Sequence, residues 1–184
     1  MNFAHNIPWL KSRVRVLQRW GALLECFEDH SSIVRTIAFS PNGRLVASAS
    51  DGVTVKLWDI TNGTAYKTLK GHSASVSTVK LSPVDGTRMI SGSRDATVIV
   101  WDVLSGHIYK ALRGHTDAVT KVVFSPDGKL VASASDDETV GIWNVEHGRA
   151  VAMLEGHEDC VTAVTLSPDG KLLASASEDM TIRL

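Results

Sequence analysis

Apolar residues recur along this chain in short extended runs, and the runs come in sets of four. The first run of each set reads Val34…Ile37-Ala38-Phe39, Val76…Val79-Lys80-Leu81, Val119…Val122-Val123-Phe124 and Val161…Val164-Thr165-Leu166. Its apolar positions lie three residues apart and then two, whereas a regular strand alternates by two throughout. One extra residue per run predicts a β-bulge at the same place in every copy. A turn follows each time: Ser40-Pro41-Asn42-Gly43, Ser82-Pro83-Val84-Asp85-Gly86, Ser125-Pro126-Asp127-Gly128 and Ser167-Pro168-Asp169-Gly170. Proline has no ladder donor and glycine accepts positive φ, so these residues end a strand. A second strand is expected at 45–50 and its equivalents. A third is expected at 54–58, 97–101, 139–143 and, shorter, 181–184. A fourth is expected at 64–69, 107–112 and 149–154.

The sets are copies of one another. His30, His72, His115 and His157 stand 42, 43 and 42 residues apart, and Trp58, Trp101 and Trp143 keep the same step. The stretch 114–144 is the clearest copy, and everything from about Gly21 onward varies on it. Between histidine and tryptophan lies a run of small residues: Ser48-Ala49-Ser50, Ser91-Gly92-Ser93, Ser133-Ala134-Ser135 and Ser175-Ala176-Ser177. A fixed period of this length signals stacked repeat units. Strands one to three are apolar or small on both faces, so each sheet must be covered on both sides. Four-stranded sheets stacked face to face around an axis meet that need. The expected fold is therefore all-β, a partial β-propeller of about four sheets with the last incomplete. A parallel solenoid would need shorter repeats.

Composition narrows the function. A net charge of −1 over 184 residues gives no general electrostatic reason to bind nucleic acid or anionic lipid. Two cysteines, Cys26 and Cys160, make neither a disulfide framework nor a zinc site. Free thiols suit a reducing compartment, so a cytoplasmic location is expected. No apolar run approaches the roughly 20 residues that span a bilayer, and the N-terminus lacks a signal-peptide core.

The pairs Gly71-His72…Trp101-Asp102 and Gly114-His115…Trp143-Asn144, in phase with the turns and serine runs, resemble the WD-repeat family from about Gly21 to Leu184. The resemblance implies a propeller and, in each unit, a hydrogen-bonded chain of histidine, strand-two serine, turn aspartate and strand-three tryptophan. Carried over by position, the sets are His72, Ser93, Asp95 and Trp101, then His115, Ser135, Asp137 and Trp143. The fourth unit supplies His157, Ser177 and Asp179, and the first supplies His30, Ser50 and Trp58. The first unit departs from the pattern: its aspartate position is Gly52, Asp51 is one residue off and should point elsewhere, and Asp29 precedes the histidine. A loosened first sheet is expected. In the fourth unit the next tryptophan and strand four are not reached, which suggests a fragment of a longer protein or a truncated gene; a ring completed by self-association through open sheet edges, or an open arc, are the alternatives.

Residues 1–20 precede the repeats. Ile7, Leu10, Val14 and Leu17 fall at helical spacing among Lys11, Arg13, Arg15 and Arg19. This suits a short linker helix, or alternatively a membrane-surface helix or transit peptide. Residues 20–30 align with 62–72 and are expected to form an outer strand. The same stretch is similar to the junction before the first repeat in fungal NACHT–WD-repeat proteins, NLR-like signalling NTPases linked to heterokaryon incompatibility. That resemblance implies an upstream NTPase domain. No phosphate-binding loop lies in this chain.

Catalysis and metal binding are disfavoured by the repeat itself. The four periodic histidines fall in different sheets, too far apart to share a metal ion. The Ser/His/Asp sets mimic a hydrolase triad in composition, but they recur in every unit, include a tryptophan and lack a nucleophile elbow. No cofactor is expected, and His5, His107 and His147 read as surface residues. Protein binding is the favoured function. In the family, partners dock on one propeller face through residues flanking the first strand-one valine and preceding the turn aspartate. Here these are Ile33, Arg35 and Asp51; Ser75, Ser77 and Arg94; Ala118, Thr120 and Asp136; Cys160, Thr162 and Glu178. Arg35 and Arg94 stand out, because hot spots favour Trp, Tyr and Arg. The expected role is a non-catalytic scaffold, the sensor or regulatory region of a fungal NLR-like protein. An adaptor of a mitochondrial-fission or ubiquitin-ligase complex, and a peripheral membrane protein held by residues 7–20, are the alternatives.

Overall fold

A computed structural model describes residues 26–61 and 64–184. The leader, with its helical and membrane readings, lies outside the described residues. So does most of the outer strand expected at 20–30, and the described part, 26–30, is irregular.

The described residues hold fifteen strands in four antiparallel meanders. The first sheet is β1 (Val34–Phe39), β2 (Leu45–Ser50), β3 (Thr54–Asp59) and β4 (Thr64–Lys70). The second is β5 (Val76–Leu81), β6 (Arg88–Ser93), β7 (Thr97–Asp102) and β8 (Ile108–Arg113). The third is β9 (Val119–Phe124), β10 (Leu130–Ser135), β11 (Val140–Asn144) and β12 (Arg149–Leu154). The fourth has three strands, β13 (Val161–Leu166), β14 (Leu173–Ser177) and β15 (Ile182–Arg183). In each sheet the strands lie in chain order, and the first strands β1, β5, β9 and β13 adjoin one another along the inside of the arc.

The expected bulge is present in all four inner strands, where the register slips between Val34 and Thr36, Val76 and Thr78, Val119 and Lys121, and Val161 and Ala163. A second irregularity, not foreseen, sits where each tryptophan strand meets the outer strand, at Leu57/Trp58, Val100/Trp101 and Ile142/Trp143.

The second and third sheets each bury two different faces, and the first and fourth each pack one face on a neighbour. Ala47, Ala49, Val55, Leu57 and Leu69 of the first sheet pack against Val76, Val79, Leu81, Met89 and Trp101 of the second. The second turns Ile90, Val98, Val100 and Leu112 toward Val119, Val122, Val131 and Trp143 of the third. The third turns Ala132, Ala134 and Val140 toward Val161 and Val164 of the fourth. Close packing at these junctions explains the small-residue runs. A Cβ added at Gly92 would lie 2.6 Å from the Val119 side chain and 3.1 Å from that of Val122. The glycine before the histidine has a related cause: a Cβ at Gly71 or Gly114 would lie 2.9 Å from the rim of Trp101 or Trp143. Burial on both faces makes the second and third sheets depend on their neighbours, as in other stacked repeats.

Candidate functional site

The tryptophan ring reaches back across the sheet from strand three to strand two. Trp101 is paired opposite Met89, so its diagonal neighbour is Ser91, and its indole N–H donates to the Ser91 hydroxyl at 2.8 Å. The same oxygen lies 2.8 Å from Nε2 of His72, whose Nδ1 is 3.0 Å from Asp95. The third sheet repeats this. Trp143 donates to Ser133 at 2.7 Å, Ser133 meets His115 at 2.7 Å, and His115 meets Asp137 at 2.9 Å. In the fourth sheet His157 bridges Ser175 at 2.9 Å and Asp179 at 2.7 Å. In the first, Trp58 and His30 share Ser48 at 2.7 and 2.6 Å.

The serines assigned from the sequence are therefore corrected by two residues. Ser50, Ser93, Ser135 and Ser177 are not in the chain; Ser48, Ser91, Ser133 and Ser175 are. The reason is strand register. Ser93 lies four residues beyond Trp101's cross-strand partner, about 13 Å along the strand at roughly 3.3 Å per residue, out of an indole's reach. Ser93, Ser135 and Ser177 instead brace the turn: each donates to a backbone carbonyl (Ala74, Asp117, Asp159) and accepts the aspartate's N–H. Ser50 likewise accepts the N–H of Gly52 at 3.0 Å.

Proton positions follow from this geometry. An indole nitrogen only donates, so Ser91 accepts from Trp101 and spends its own hydrogen on Nε2 of His72. His72 must then be neutral, with its proton on Nδ1 and directed to Asp95. Burial lowers the His72 pKa, which favours that neutral form, although Asp95 pulls the other way. Burial works against the charge on Asp95 too. Hydrogen bonds from Thr97, the Ser73 N–H and His72 outweigh it and hold the pKa below the usual carboxylate range. Asp137 and Asp179 are lowered by the same set of partners. The threonine two residues after each aspartate (Thr97, Thr139, Thr181) donates to its Oδ1 at 2.5–2.7 Å. Sequence reasoning passed over these threonines, although Asp-x-Thr recurs at 95–97, 137–139 and 179–181.

The first sheet closes its chain differently. Gly52 offers no carboxylate, and Asp51 turns away to a two-pronged ion pair with Arg35 at 2.6–3.0 Å. His30 Nδ1 is buried without a partner among the described residues. Burial and the nearby Lys56 ammonium lower the His30 pKa. That Lys56, nearly buried, reaches Asp29, the residue standing where later units have glycine, and Thr68 at 3.0 Å.

These sets do not work as hydrolase triads. Ser91 and Ser133 are fully buried, and each hydroxyl is already saturated by tryptophan and histidine. Cys160, Asp159 and Glu178 bring their ligand atoms within 4.8 Å of one another. The Cys160 thiol is pushed up by burial and by the carboxylates of Asp136, Asp159 and Glu178, which disfavours the thiolate a metal would need.

The pattern for the WD domain, G-beta repeat, matches residues 21–59, 63–102, 106–144 and 148–184. The chain belongs to the WD-repeat family. Individual relatives match over shorter stretches. The periodic tryptophan protein 2 homolog of Dictyostelium discoideum is 35% identical over 63 residues, 34% of this chain and 7% of that protein. The vegetative incompatibility protein HET-E-1 of Podospora anserina is 47% identical over 56 residues, 30% of this chain and 4% of that protein. The nuclear distribution protein PAC1 of Candida tropicalis is 35% identical over 81 residues, 41% of this chain and 16% of that protein. The aligned stretches thus span under a fifth of each of these relatives. WD repeats imply a protein-interaction scaffold.

The twelve rim positions singled out from the sequence follow the starts of the inner strands. Several are occupied within the WD repeats themselves. Ser77 donates to the Gly92 carbonyl at 3.0 Å and to the Val119 carbonyl of the next inner strand. Thr120 does the same to Val161 at 2.5 Å, and Thr162 reaches the Ala176 carbonyl at 3.3 Å. Ser75 and Cys160 approach the carbonyls of Asp51 and Asp136 in the preceding sheet, at 3.4 and 3.6 Å. Ala118 is half-buried, while Ile33, Arg94 and Glu178 are exposed. Charge is uneven along this rim. Arg35 and Arg94 flank Asp51 at the first two sheets, and Asp136, Asp159 and Glu178 gather at the last two.

The opposite rim carries a groove of about 740 Å³ between the first two sheets, lined by Arg44, Tyr66, Asp85, Thr87 and Leu104. The equivalent place between the second and third sheets is smaller, about 300 Å³. There Arg88 lies over the Tyr109 ring at 4.1 Å, and the Tyr109 hydroxyl donates to Glu146 at 2.8 Å.

Proposed function

We propose that these repeats are a non-catalytic platform for a protein partner, and that they serve as the sensor or regulatory region of an NLR-like signalling protein working in the cytoplasm. The observation that carries the class is the 47% identity to a vegetative incompatibility protein, the highest among the relatives described above. Absence of chemistry in the repeats is supported by the buried and saturated state of the Ser–His–Asp sets. A rigid rim of strand starts and loops is where a scaffold of this kind carries recognition. Arg94, exposed and near Asp51, is the strongest single anchor on the basic side. Asp136 and Glu178 form the acidic side. Full-length transcript sequencing tests the assignment. An in-frame nucleotide-binding domain upstream is expected, and a coiled coil or F-box there would move the protein to the adaptor class. Interaction capture with the full-length protein tests the surface. Arg94→Glu should lose the partner that the native protein retains, and equal capture by both would remove this rim from the account.

A further inference from the structure

The groove between the first two sheets and its counterpart between the second and third are built from matching positions, and only the second is closed by its own side chains. Tyr66 on β4 matches Tyr109 on β8, since each follows the residue paired with the strand-three tryptophan. Leu45 matches Arg88, each paired with the aspartate after that tryptophan. Leu104 matches Glu146, the third residue past Trp101 and Trp143. In the second groove these positions meet. Arg88 is ion-paired with Asp102 and lies 4.1 Å from the Tyr109 ring centroid, and the Tyr109 hydroxyl donates to Glu146 at 2.8 Å. About 300 Å³ remains there. In the first groove, leucine stands at both partner positions. Leu104 offers the Tyr66 hydroxyl no acceptor, and about 740 Å³ stays open.

The first groove is left with uncommitted donors. Among the described residues, neither the Arg44 guanidinium nor the Tyr66 hydroxyl has a hydrogen-bond partner. The two carboxylates that line the groove are engaged by their own turns: Asp59 accepts the N–H and hydroxyl of Thr61, and Asp85 those of Thr87. An apolar wall stands beside the donors, with Leu104 exposed by 78% and Tyr66 by 42%. Lys67 donates to the Leu104 carbonyl, which ties that wall to the first sheet.

We propose that this groove docks an extended segment of a partner protein that carries one Asp or Glu beside an apolar side chain. The carboxylate takes the place that Glu146 holds in the second groove. It accepts from the Tyr66 hydroxyl and pairs with Arg44, whose planar fork suits a carboxylate. The apolar side chain lies on Leu104. Asp59 and Asp85 hold the number of carboxylates to one, because a run of acidic residues would meet like charge. The site lies on the rim opposite Arg94 and is a second surface, separate from that one.

NMR titration of the 184-residue chain with peptides tests this. Three synthetic pools of short peptides share random flanks around Leu-Glu, Leu-Gln or Leu-Lys, each pair in both orders. The Leu-Glu pool should shift the amides of Arg44 and Leu104 and the Tyr66 ring resonances. The Leu-Gln pool should bind about tenfold more weakly, the share of one charge-assisted hydrogen bond. Arg44→Gln should weaken the Leu-Glu pool by a similar factor. Leu104→Glu supplies the carboxylate from within, so it should move the Tyr66 resonances before any peptide is added and abolish binding. Both positions are exposed, and unchanged amide shifts in β6 and β10 verify the fold of each variant. Arg94→Glu should bind the Leu-Glu pool as the native chain does. Equal binding by the Leu-Glu and Leu-Gln pools, or tighter binding by the Leu-Lys pool, overturns the proposal. So does binding that survives Leu104→Glu, or a groove that no pool enters, as would follow if residues 1–25 filled it.

Discussion

Replacing Gly52 by aspartate should complete the one hydrogen-bonded chain that lacks its carboxylate. In the other three sheets a carboxylate oxygen sits 2.7–3.0 Å from the histidine Nδ1. It also collects the N–H of the following residue: Ser73 at 2.8 Å, Thr116 at 2.9 Å and Glu158 at 3.2 Å. The first sheet supplies the rest of the setting. His30 Nδ1 is buried without a partner, Ser50 already holds the residue-52 N–H, and Thr54 stands where the others have their donating threonine. Room is tight but yielding, since a Cβ at 52 would lie 3.0 Å from Ser31 Oγ and 3.2 Å from Ser50 Oγ, both ends of rotatable side chains. Satisfying a buried donor is worth about 1–3 kcal/mol, and removing a glycine from the unfolded ensemble adds about 0.4–1 kcal/mol. His30 is only partly buried, and the new carboxylate is itself desolvated, so about 1–2 kcal/mol is the expected net gain. For a chain of this size that is roughly 3–6 °C in Tm. Differential scanning calorimetry of G52D, H30F and the double variant isolates the pair. The gain should vanish in the H30F background, and the His30 pKa read by NMR should rise in G52D. A lower Tm in G52D, or an equal gain without the histidine, refutes the reasoning.

Three further outcomes follow. Ser91→Ala should cost about 2–4 kcal/mol, because it strands two buried polar atoms, and should shift the Trp101 indole N–H resonance; Ser93→Ala should leave that resonance in place. Val53 is a β-branched residue at φ 58°, in the turn where Ala96, Glu138 and Met180 are also left-handed. Val53→Asn should therefore raise stability by about 0.5–1 kcal/mol in urea unfolding, and a loss would show that the valine side chain matters more than its backbone. Stability should also fall with acid in two stages. The folded pKa of His30 and His72 is lowered, so the unfolded chain takes up protons first, and stability starts to drop below about pH 6.5. Asp95, Asp137 and Asp179 are lowered too, so their contribution is complete above about pH 4 and is lost as pH falls through their folded values. A urea midpoint that rises between pH 6.5 and 5 contradicts this.

Much of this arrangement was legible in the sequence because a repeat averages out local ambiguity. Four copies of the three-then-two spacing revealed the inner-strand bulge, which one copy could not have done. The His–Asp pairing came from the WD-repeat resemblance, carried over by position, and the structure shows it in three sheets. The serine was not legible. A Ser-x-Ser run puts two hydroxyls on one face of a strand, and only the cross-strand register, Met89 opposite Trp101, decides between them. The resemblance marked out one edge of the sheets, but it could not show that Ser77 and Thr120 spend their hydroxyls on the neighbouring inner strand.

The second and third sheets are apolar on both faces and held by their neighbours. Hydrogen–deuterium exchange on the 184-residue chain measures that most directly. Amides of β6, β7, β10 and β11 should exchange slowest, with β1 and β14 opening well before them. A single protection level from the first sheet to the last would contradict the dependence of each sheet on the next.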